Sequence, residues 1–169
     1  DLIAQAEHDP EARAVLLTPS RTLAHKVKQR VQDQLKEHPS AKPSIKKNGV
    51  IVITKTVDDA LQLANAIAPE HAVTDTRAMA NQLVKAGTVF VGAFSAQAAG
   101  DYATGSNHVL PTNGVARSRG GLSASDFVRV NSVQQLTRTG LRQLAPSVIS
   151  LANAEGLRGH AASVARRLE

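Results

Sequence analysis

Along the first two thirds of the chain, short apolar runs alternate with stretches in which apolar residues recur at helical spacing. Three continuous runs have the length of a buried strand: Ala14–Thr18, Gly49–Thr54 and Thr88–Gly92. A shorter extended stretch, Glu70–Val73, lies between the second and third of these runs. The pattern therefore predicts four strands, of which the β-branched run Gly49–Thr54 is the clearest.

Helical spacing fills the gaps between these strands. The predicted helices cover residues 1–8, 20–38, 56–68 and 76–86, and residues 95–102 form one or two further turns. Ser20 and Thr56 are the expected N-caps, and Pro69 and Gly87 are expected to end helices. Residues 38–44 contain two prolines and are predicted to form a loop.

The pattern changes beyond Gly114. After a glycine-rich stretch, the alternation of apolar and polar residues over Asp126–Val133 predicts a strand. Leu136–Ala154 is expected to be helical, with a kink or a restart at Pro146. Two glycines then interrupt the chain before a terminal helix that begins near His160.

The regular alternation of strands and helices is typical of an α/β domain with a mostly parallel sheet. Aromatic residues make up only 2% of the chain, so Val, Leu, Ile and Ala must build the core, as in parallel sheets covered by helices. We therefore predict an incomplete Rossmann-like, mostly parallel sheet flanked by helices over residues 1–114. A strand and a C-terminal helical tail are predicted over residues 115–169. No glycine-rich phosphate-binding loop of the dinucleotide or P-loop type occurs.

Charge and composition narrow the partners and the compartment. Basic residues exceed acidic ones by 20 − 14 = 6, but they are scattered and lack the aromatic residues that stack on bases, so we expect no nucleic-acid partner. The chain has no cysteine, which excludes disulfides and thiolate metal sites and is compatible with the cytoplasm. No apolar run is long enough to span a membrane, and we expect no membrane partner.

Two pairs of polar residues in the first half of the chain could carry chemistry. Gln5 and His8 lie three positions apart, so on a helix they share one face and could reach one ion. An ordinary polar helix face explains them as well. Glu70 and His71 follow a proline at a helix-to-strand junction, where either an acid/base pair or a simple polar turn would fit.

A third pair lies in the irregular loop from Gly100 to Gly114. Asp101 and His108 are side chains that suit Zn²⁺ or Mn²⁺ in a chain without cysteine. A loop that caps its own backbone through these side chains explains them equally. Glu155 and His160 in the tail would, by themselves, be read as parts of a surface helix.

Five motifs in order along the chain resemble the C-terminal portion of histidinol dehydrogenase. The motifs are QAEHDP (5–10), APEHAV (68–73), GDYATGSNHVLPTNG (100–114), SVQQLT (132–137) and AEGLRGHAASVARR (154–167). Enzymes of this family oxidise L-histidinol to L-histidine through L-histidinal with two NAD⁺, in the last steps of histidine biosynthesis. The resemblance covers essentially the whole chain.

The resemblance implies a role for each candidate residue. The matches to zinc ligands are Gln5, His8, Asp101 and His160, and the matches to the catalytic acid/base pair are Glu70 and His71. The implied substrate contacts are Gln5, His8, His71, Asp101, His108, Glu155 and His160. The resemblance also implies a homodimer in which the tail, with Glu155 and His160, is exchanged between subunits.

Two features depart from the family pattern. Ser106 stands where the family usually has proline, which is expected to loosen the loop without removing a ligand. The residues that contact NAD in the family lie mainly before the QAEHDP motif, and the chain begins at Asp1 in a sequence that already reads as a helix. We therefore expect a missing N-terminal half and little activity from the chain alone. The alternative is a non-catalytic domain of this family that binds a metal or an imidazole ligand.

Overall fold

The computed structural model describes all 169 residues, which form two compact units over residues 1–127 and 128–169. The first unit contains five helices and four strands. In chain order they are α1 (Leu2–His8), β1 (Val15–Thr18), α2 (Arg21–Gln34), α3 (Lys42–Asn48), β2 (Val50–Ile53), α4 (Val57–Ile67), β3 (His71–Thr74), α5 (Arg77–Ala80) and β4 (Thr88–Val91). Short 3₁₀ turns cover Pro39–Ala41, Gln97–Asp101, Val115–Arg117 and Ala124–Phe127. The predicted division near Gly114 stays a prediction.

The α/β class and the parallel pairing are confirmed. The four strands form two separate two-stranded parallel sheets, β1 with β2 and β3 with β4. Val15 lies opposite Val50 in the first sheet, and His71 lies opposite Thr88 in the second. The helices that precede β2 and β4 bring each pair of strands into the same direction, as a parallel connection requires.

Small aliphatic residues form the core beside the first sheet. Its buried members are Ile3, Ala6, Ala14 and Ala41, and Leu2, Val31, Leu35 and Ile45 pack against them. Alanine dominates this cluster, so α1 and the Pro39–Ala41 turn approach each other closely. The core therefore holds α1 in place, and α1 carries Gln5 and His8.

The predicted caps of α2 and α4 are confirmed. Ser20 Oγ accepts a hydrogen bond from the backbone N–H of Leu23 at 3.2 Å. Thr56 Oγ1 accepts from the N–H of Asp59 at 3.0 Å, and the Asp59 carboxylate accepts from the N–H of Thr56 at 3.0 Å. This reciprocal capping box satisfies two N–H groups that the helix itself leaves without partners.

The predicted loop over residues 38–44 is wrong, because a 3₁₀ turn and the start of α3 occupy it. Pro43 stands in the first turn of α3, where a missing N–H costs no hydrogen bond. Ser44 is fully buried and its Oγ donates to the carbonyl of Ala12 at 2.9 Å. Proline therefore starts a helix here. The neighbouring helix α2 ends at Gln34 instead of near His38.

The helix predicted over residues 76–86 is shorter than expected, with only Arg77–Ala80 helical. The side chain of Asn65 in α4 takes over the backbone groups that follow. Its Nδ2 donates to the carbonyl of Gln82 at 2.7 Å, and its Oδ1 accepts from the N–H of Lys85 at 3.1 Å. These contacts favour turns because a continuing helix would need the same groups for itself.

The strand predicted over Asp126–Val133 is also wrong. Ala124–Phe127 forms a 3₁₀ turn, and no strand partner pairs with the residues that follow. Asp126 Oδ2 accepts from the Ser123 N–H at 2.7 Å, and this hydrogen bond lowers the pKa of Asp126. Val130 is 94% exposed, which shows that its alternating neighbours cover no apolar face.

The second unit is a pair of helices, α6 (Arg138–Ala154) and α7 (Arg158–Ala165), packed against each other. Pro146 lies inside α6, which continues through it, so the helix does not restart there. Gly156 has a φ of 76°, which glycine adopts readily, and it turns the chain between the helices. No helix in the structure has both the length and the apolar character needed to cross a membrane.

Candidate functional site

Six of the eight residues predicted for the site line one cavity of about 280 Å³ in the first unit. They are Gln5, His8, Glu70, His71, Asp101 and His108, and they are joined by Ala4, Gln97 and Tyr102. The side chains come from α1, from the start of β3 and from the chain that follows β4. Positions that are more than a hundred residues apart in sequence therefore meet in one cavity.

Local structure places each pair of residues. Gln5 and His8 share one face of α1, as their spacing indicates. Glu70 and His71 both reach the cavity although they are adjacent, because β3 begins only at His71. The carbonyl of Glu70 accepts from the Thr88 N–H at 2.9 Å, which fixes Glu70 against the start of β4.

The close approach of Gly87 to Pro69 and Glu70 supports the same contact between Glu70 and the start of β4. The Gly87 N–H donates to the carbonyl of Pro69 at 2.9 Å. A Cβ at Gly87 would lie 2.6 Å from the Glu70 carbonyl oxygen, so a larger residue would push the two segments apart. Gly87 was expected to end a helix, and in the structure it permits this contact.

The imidazole of His71 is the most closely surrounded side chain of the cavity. Its Nδ1 lies 3.2 Å from Gln5 Oε1 and 3.3 Å from Gln97 Nε2. Its Nε2 lies 3.7 Å from Asp101 Oδ1 and is buried without a hydrogen-bond partner. The Phe90 ring packs beside it, with ring centroids 5.8 Å apart. One ring nitrogen is thus held by amides, and the other faces a carboxylate.

The other cavity residues differ in exposure. The side chains of His71 and Asp101 are 10% and 23% exposed, whereas His8 and His108 are exposed residues. The cavity therefore combines a buried imidazole nitrogen and a partly buried carboxylate with two exposed imidazoles.

Hydrogen bonds within the loop from Gly100 to Gly114 stabilise its conformation. Ser106 Oγ donates to the Gly100 carbonyl at 3.4 Å, and Asn107 Oδ1 accepts from the Val109 N–H at 2.8 Å. These contacts hold the loop at both sides of Ser106, the position where proline is usual in the family that the motifs resemble. Ser106 thus makes a hydrogen bond that proline could not make, and the expected loosening stays a prediction.

A family model for histidinol dehydrogenase matches residues 1–168. The chain belongs to the histidinol dehydrogenase family. Histidinol dehydrogenase of Methanothermobacter thermautotrophicus is 45% identical over 99% of this chain and 41% of its own length. The Bacillus cereus enzyme is 42% identical over 100% of this chain and 41% of its own.

A solved structure agrees with these relatives. The crystal structure of histidinol dehydrogenase from Elizabethkingia anophelis superposes with a TM-score of 0.89 at 33% identity, covering 99% of this chain and 40% of that one. The resemblance read from the five motifs is confirmed. The chain spans about two fifths of the length of the histidinol dehydrogenases it matches.

The remaining two predicted residues lie in the second unit. Glu155 follows the last residue of α6, and His160 lies in the first turn of α7. Both side chains are exposed and have no hydrogen-bond partner. Their participation in a histidinol dehydrogenase site stays a prediction.

Besides Ala4, the sequence-based prediction missed two polar cavity residues, Gln97 and Tyr102. Gln97 is 5% exposed, and its Nε2 lies 3.4 Å from Gln5 Oε1. When an amide side chain stands between alanines in a short turn, the sequence gives little sign that it is buried. The closeness of Gln97 in sequence to Asp101, within the predicted turn of residues 95–102, is the signal that could have pointed to it.

The donor types in the cavity fit zinc, but the first unit does not complete a zinc site. Zinc takes imidazole and carboxylate ligands, usually four in all, and His8, Asp101 and the Gln5 amide oxygen line the cavity wall. No three His, Asp or Glu side chains lie close enough together to hold a metal ion. The Gln5 oxygen also faces His71 and Gln97.

Gly100→Ala should destabilise the first unit by about 1–3 kcal/mol, because a new Cβ would lie 2.6 Å from the Phe90 ring that packs beside His71. Urea unfolding followed by far-UV circular dichroism measures the change. Gly120→Ala is the matched control, since its Cβ would meet nothing within 4 Å. Equal stability of the two variants would show that the contact does not constrain the turn.

Proposed function

We propose that this chain supplies the substrate- and metal-binding part of an enzyme that oxidises L-histidinol to L-histidine through L-histidinal. Membership of the histidinol dehydrogenase family supports the proposal. The observation that carries it is the cavity in which His71, Asp101, Gln5 and His8 meet from separate elements. We propose Gln5, His8, Asp101 and His160 as the residues that hold zinc.

The geometry of His71 suits the first oxidation. Removal of a hydride from the alcohol carbon requires that the hydroxyl proton also leave, and a nearby base must accept it. Nε2 of His71 is buried at the cavity and has no competing hydrogen bond. His71 Nε2 would therefore take the hydroxyl proton. When bound, zinc would anchor the substrate nitrogens and NAD⁺ would accept the hydride.

Glu70 suits the second oxidation. An aldehyde must add water before it can lose a second hydride, and a carboxylate can take the proton from that water. Glu70 lines the same cavity as His71, so one bound substrate can meet both groups. The carboxylate of Glu70 would activate the water, and the resulting hydrate carries the hydrogen that leaves in the second step.

The exposed residues would bind the substrate. His108 lies on the cavity wall in the first unit, where it can contact the imidazole end of histidinol. Glu155 would accept a hydrogen bond from the substrate cation. We propose that Glu155 and His160 reach the site from the partner subunit of a homodimer, as the family resemblance implies, because neither residue lines the cavity of the first unit.

A binding role without turnover is the second candidate. The chain spans about two fifths of its relatives, and it has no glycine-rich dinucleotide loop. Under this alternative, the chain would bind zinc or histidinol and would catalyse nothing, even when the remaining part of a histidinol dehydrogenase is added. Titration calorimetry with histidinol, with and without zinc, would separate a binding domain from an inert one.

Removal of a proposed ligand should weaken zinc binding roughly ten- to hundredfold, because zinc sites lose affinity when a ligand or its support is removed. Asp101→Ala and His160→Ala are the test variants, and calorimetry with Zn²⁺ alone is the measurement. The matched controls are Asp75→Ala and His25→Ala, which remove exposed side chains outside the cavity. Unchanged zinc affinity in both test variants would contradict the assignment.

The purified chain should form no NADH from histidinol and NAD⁺, since the family's NAD contacts are expected outside it. Absorbance at the NADH band measures the reaction, with a complete histidinol dehydrogenase as the positive control. Turnover by this chain alone would refute this expectation and would place an NAD site within residues 1–169.

A further inference from the structure

Tyr102 is the only residue with a phenyl-type ring among those that line the cavity around His71. The other lining residues carry carboxylate, amide or imidazole groups, except Ala4, which is too small to cover a ligand. A ligand with a flat apolar face therefore finds one large carbon surface in this cavity, the ring of Tyr102. The proposed mechanism does not use this ring.

The ring of Tyr102 lies open to solvent. The residue is 88% exposed, and His108 on the same cavity wall is also exposed, whereas Gln97 is 5% exposed. Tyr102 and His108 therefore belong to the open side of the cavity. An exposed aromatic ring leaves apolar surface in water, and a ligand that covers this surface gains the free energy of its burial.

The backbone at Tyr102 is held in place. Its N–H donates to the carbonyl of Ala99 at 3.3 Å, and the next N–H, of Ala103, donates to the same oxygen at 3.0 Å. Gly100 lies so close to Phe90 that a Cβ would be 2.6 Å from that ring. Because the turn is already ordered, a ligand that packs on the ring has little further chain to immobilise.

Two other aromatic rings are exposed, those of Phe94 (102%) and Phe127 (78%), but neither lines the cavity. An exposed aromatic ring therefore coincides with the candidate site only at Tyr102. Aromatic rings pack favourably on other planar rings, in offset or edge-on arrangements. The substrate of the proposed function carries such a ring, its imidazole.

We propose that Tyr102 is a specificity-determining residue whose ring packs on the imidazole of histidinol at the open side of the cavity. This inference rests on the proposed function, because it takes histidinol as the ligand. It assigns the Tyr102 ring to recognition of the heterocycle and leaves the amino alcohol end to other residues.

The chain has one tyrosine and no tryptophan, so its intrinsic tyrosine fluorescence reports on Tyr102 alone. With Zn²⁺ present, histidinol should change this fluorescence saturably, with the dissociation constant that calorimetry gives. Tyr102→Ala and Tyr102→Leu should each weaken the binding of histidinol and of free imidazole by about two- to tenfold, because both lose the ring. Tyr102→Phe keeps the ring and should bind both as the native chain does.

Two controls separate recognition from folding. Phe94→Ala removes an exposed ring outside the cavity and should leave both affinities unchanged. The zinc affinity of Tyr102→Ala should equal that of the native chain, because the ring is no ligand. A loss of zinc affinity in this variant would show that Tyr102 only maintains the loop, and would overturn the proposal.

Histidinol binding without a change in tyrosine fluorescence, or equal histidinol affinity of Tyr102→Leu and the native chain, would also overturn the proposal. So would weaker histidinol binding with unchanged imidazole binding, since the ring would then contact the amino alcohol end. These results leave the proposed function standing, because the native chain still binds histidinol. A native chain that binds zinc but no histidinol would refute both.

Discussion

The imidazole of His71 is the point at which the separate parts of the first unit meet. Gln5 from α1, Phe90 from β4, and Gln97 and Asp101 from the following turn all lie against it. A buried ring with two polar nitrogens tolerates few arrangements, because each nitrogen left without a partner costs stability. Nδ1 has its partners and Nε2 does not. The unit therefore places its one unsatisfied imidazole nitrogen in the cavity, where a substrate hydroxyl could approach it.

The sheets that support this ring are small. Each sheet has two strands, and parallel sheets are usually covered on both faces. In β2, Val50, Ile51 and Ile53 are 48%, 36% and 39% exposed. The cavity is instead positioned by close backbone contacts, at Gly87 against Glu70 and at Gly100 against Phe90. These two glycines permit contacts that a larger residue would prevent, and the chain covers only about two fifths of the related enzymes.

Sequence reasoning located all four strands because three are continuous apolar runs of strand length and the fourth, Glu70–Val73, is a short extended stretch after a helix-ending proline. It failed where a side chain distant in sequence determined the backbone conformation. Asn65 shortened the helix after Thr76, and the expected strand at Asp126–Val133 found no partner. The cavity residues from Gln5 to His108 were predicted through five motifs, because spacing alone left each pair open to a plain structural explanation. Gln97 was missed because nothing in an alanine-rich turn shows that an amide is buried.

The central claim is that one cavity in the first unit, centred on His71, receives histidinol. Chemical-shift mapping of the ¹⁵N-labelled chain during a histidinol titration in the presence of Zn²⁺ tests it most directly. The account predicts shifts concentrated at the cavity residues of α1, β3 and the Gln97–His108 segment, with residues of α2 and β2 unchanged. Shifts confined to the exposed face of β2, or no shifts at saturating zinc and histidinol, would contradict it.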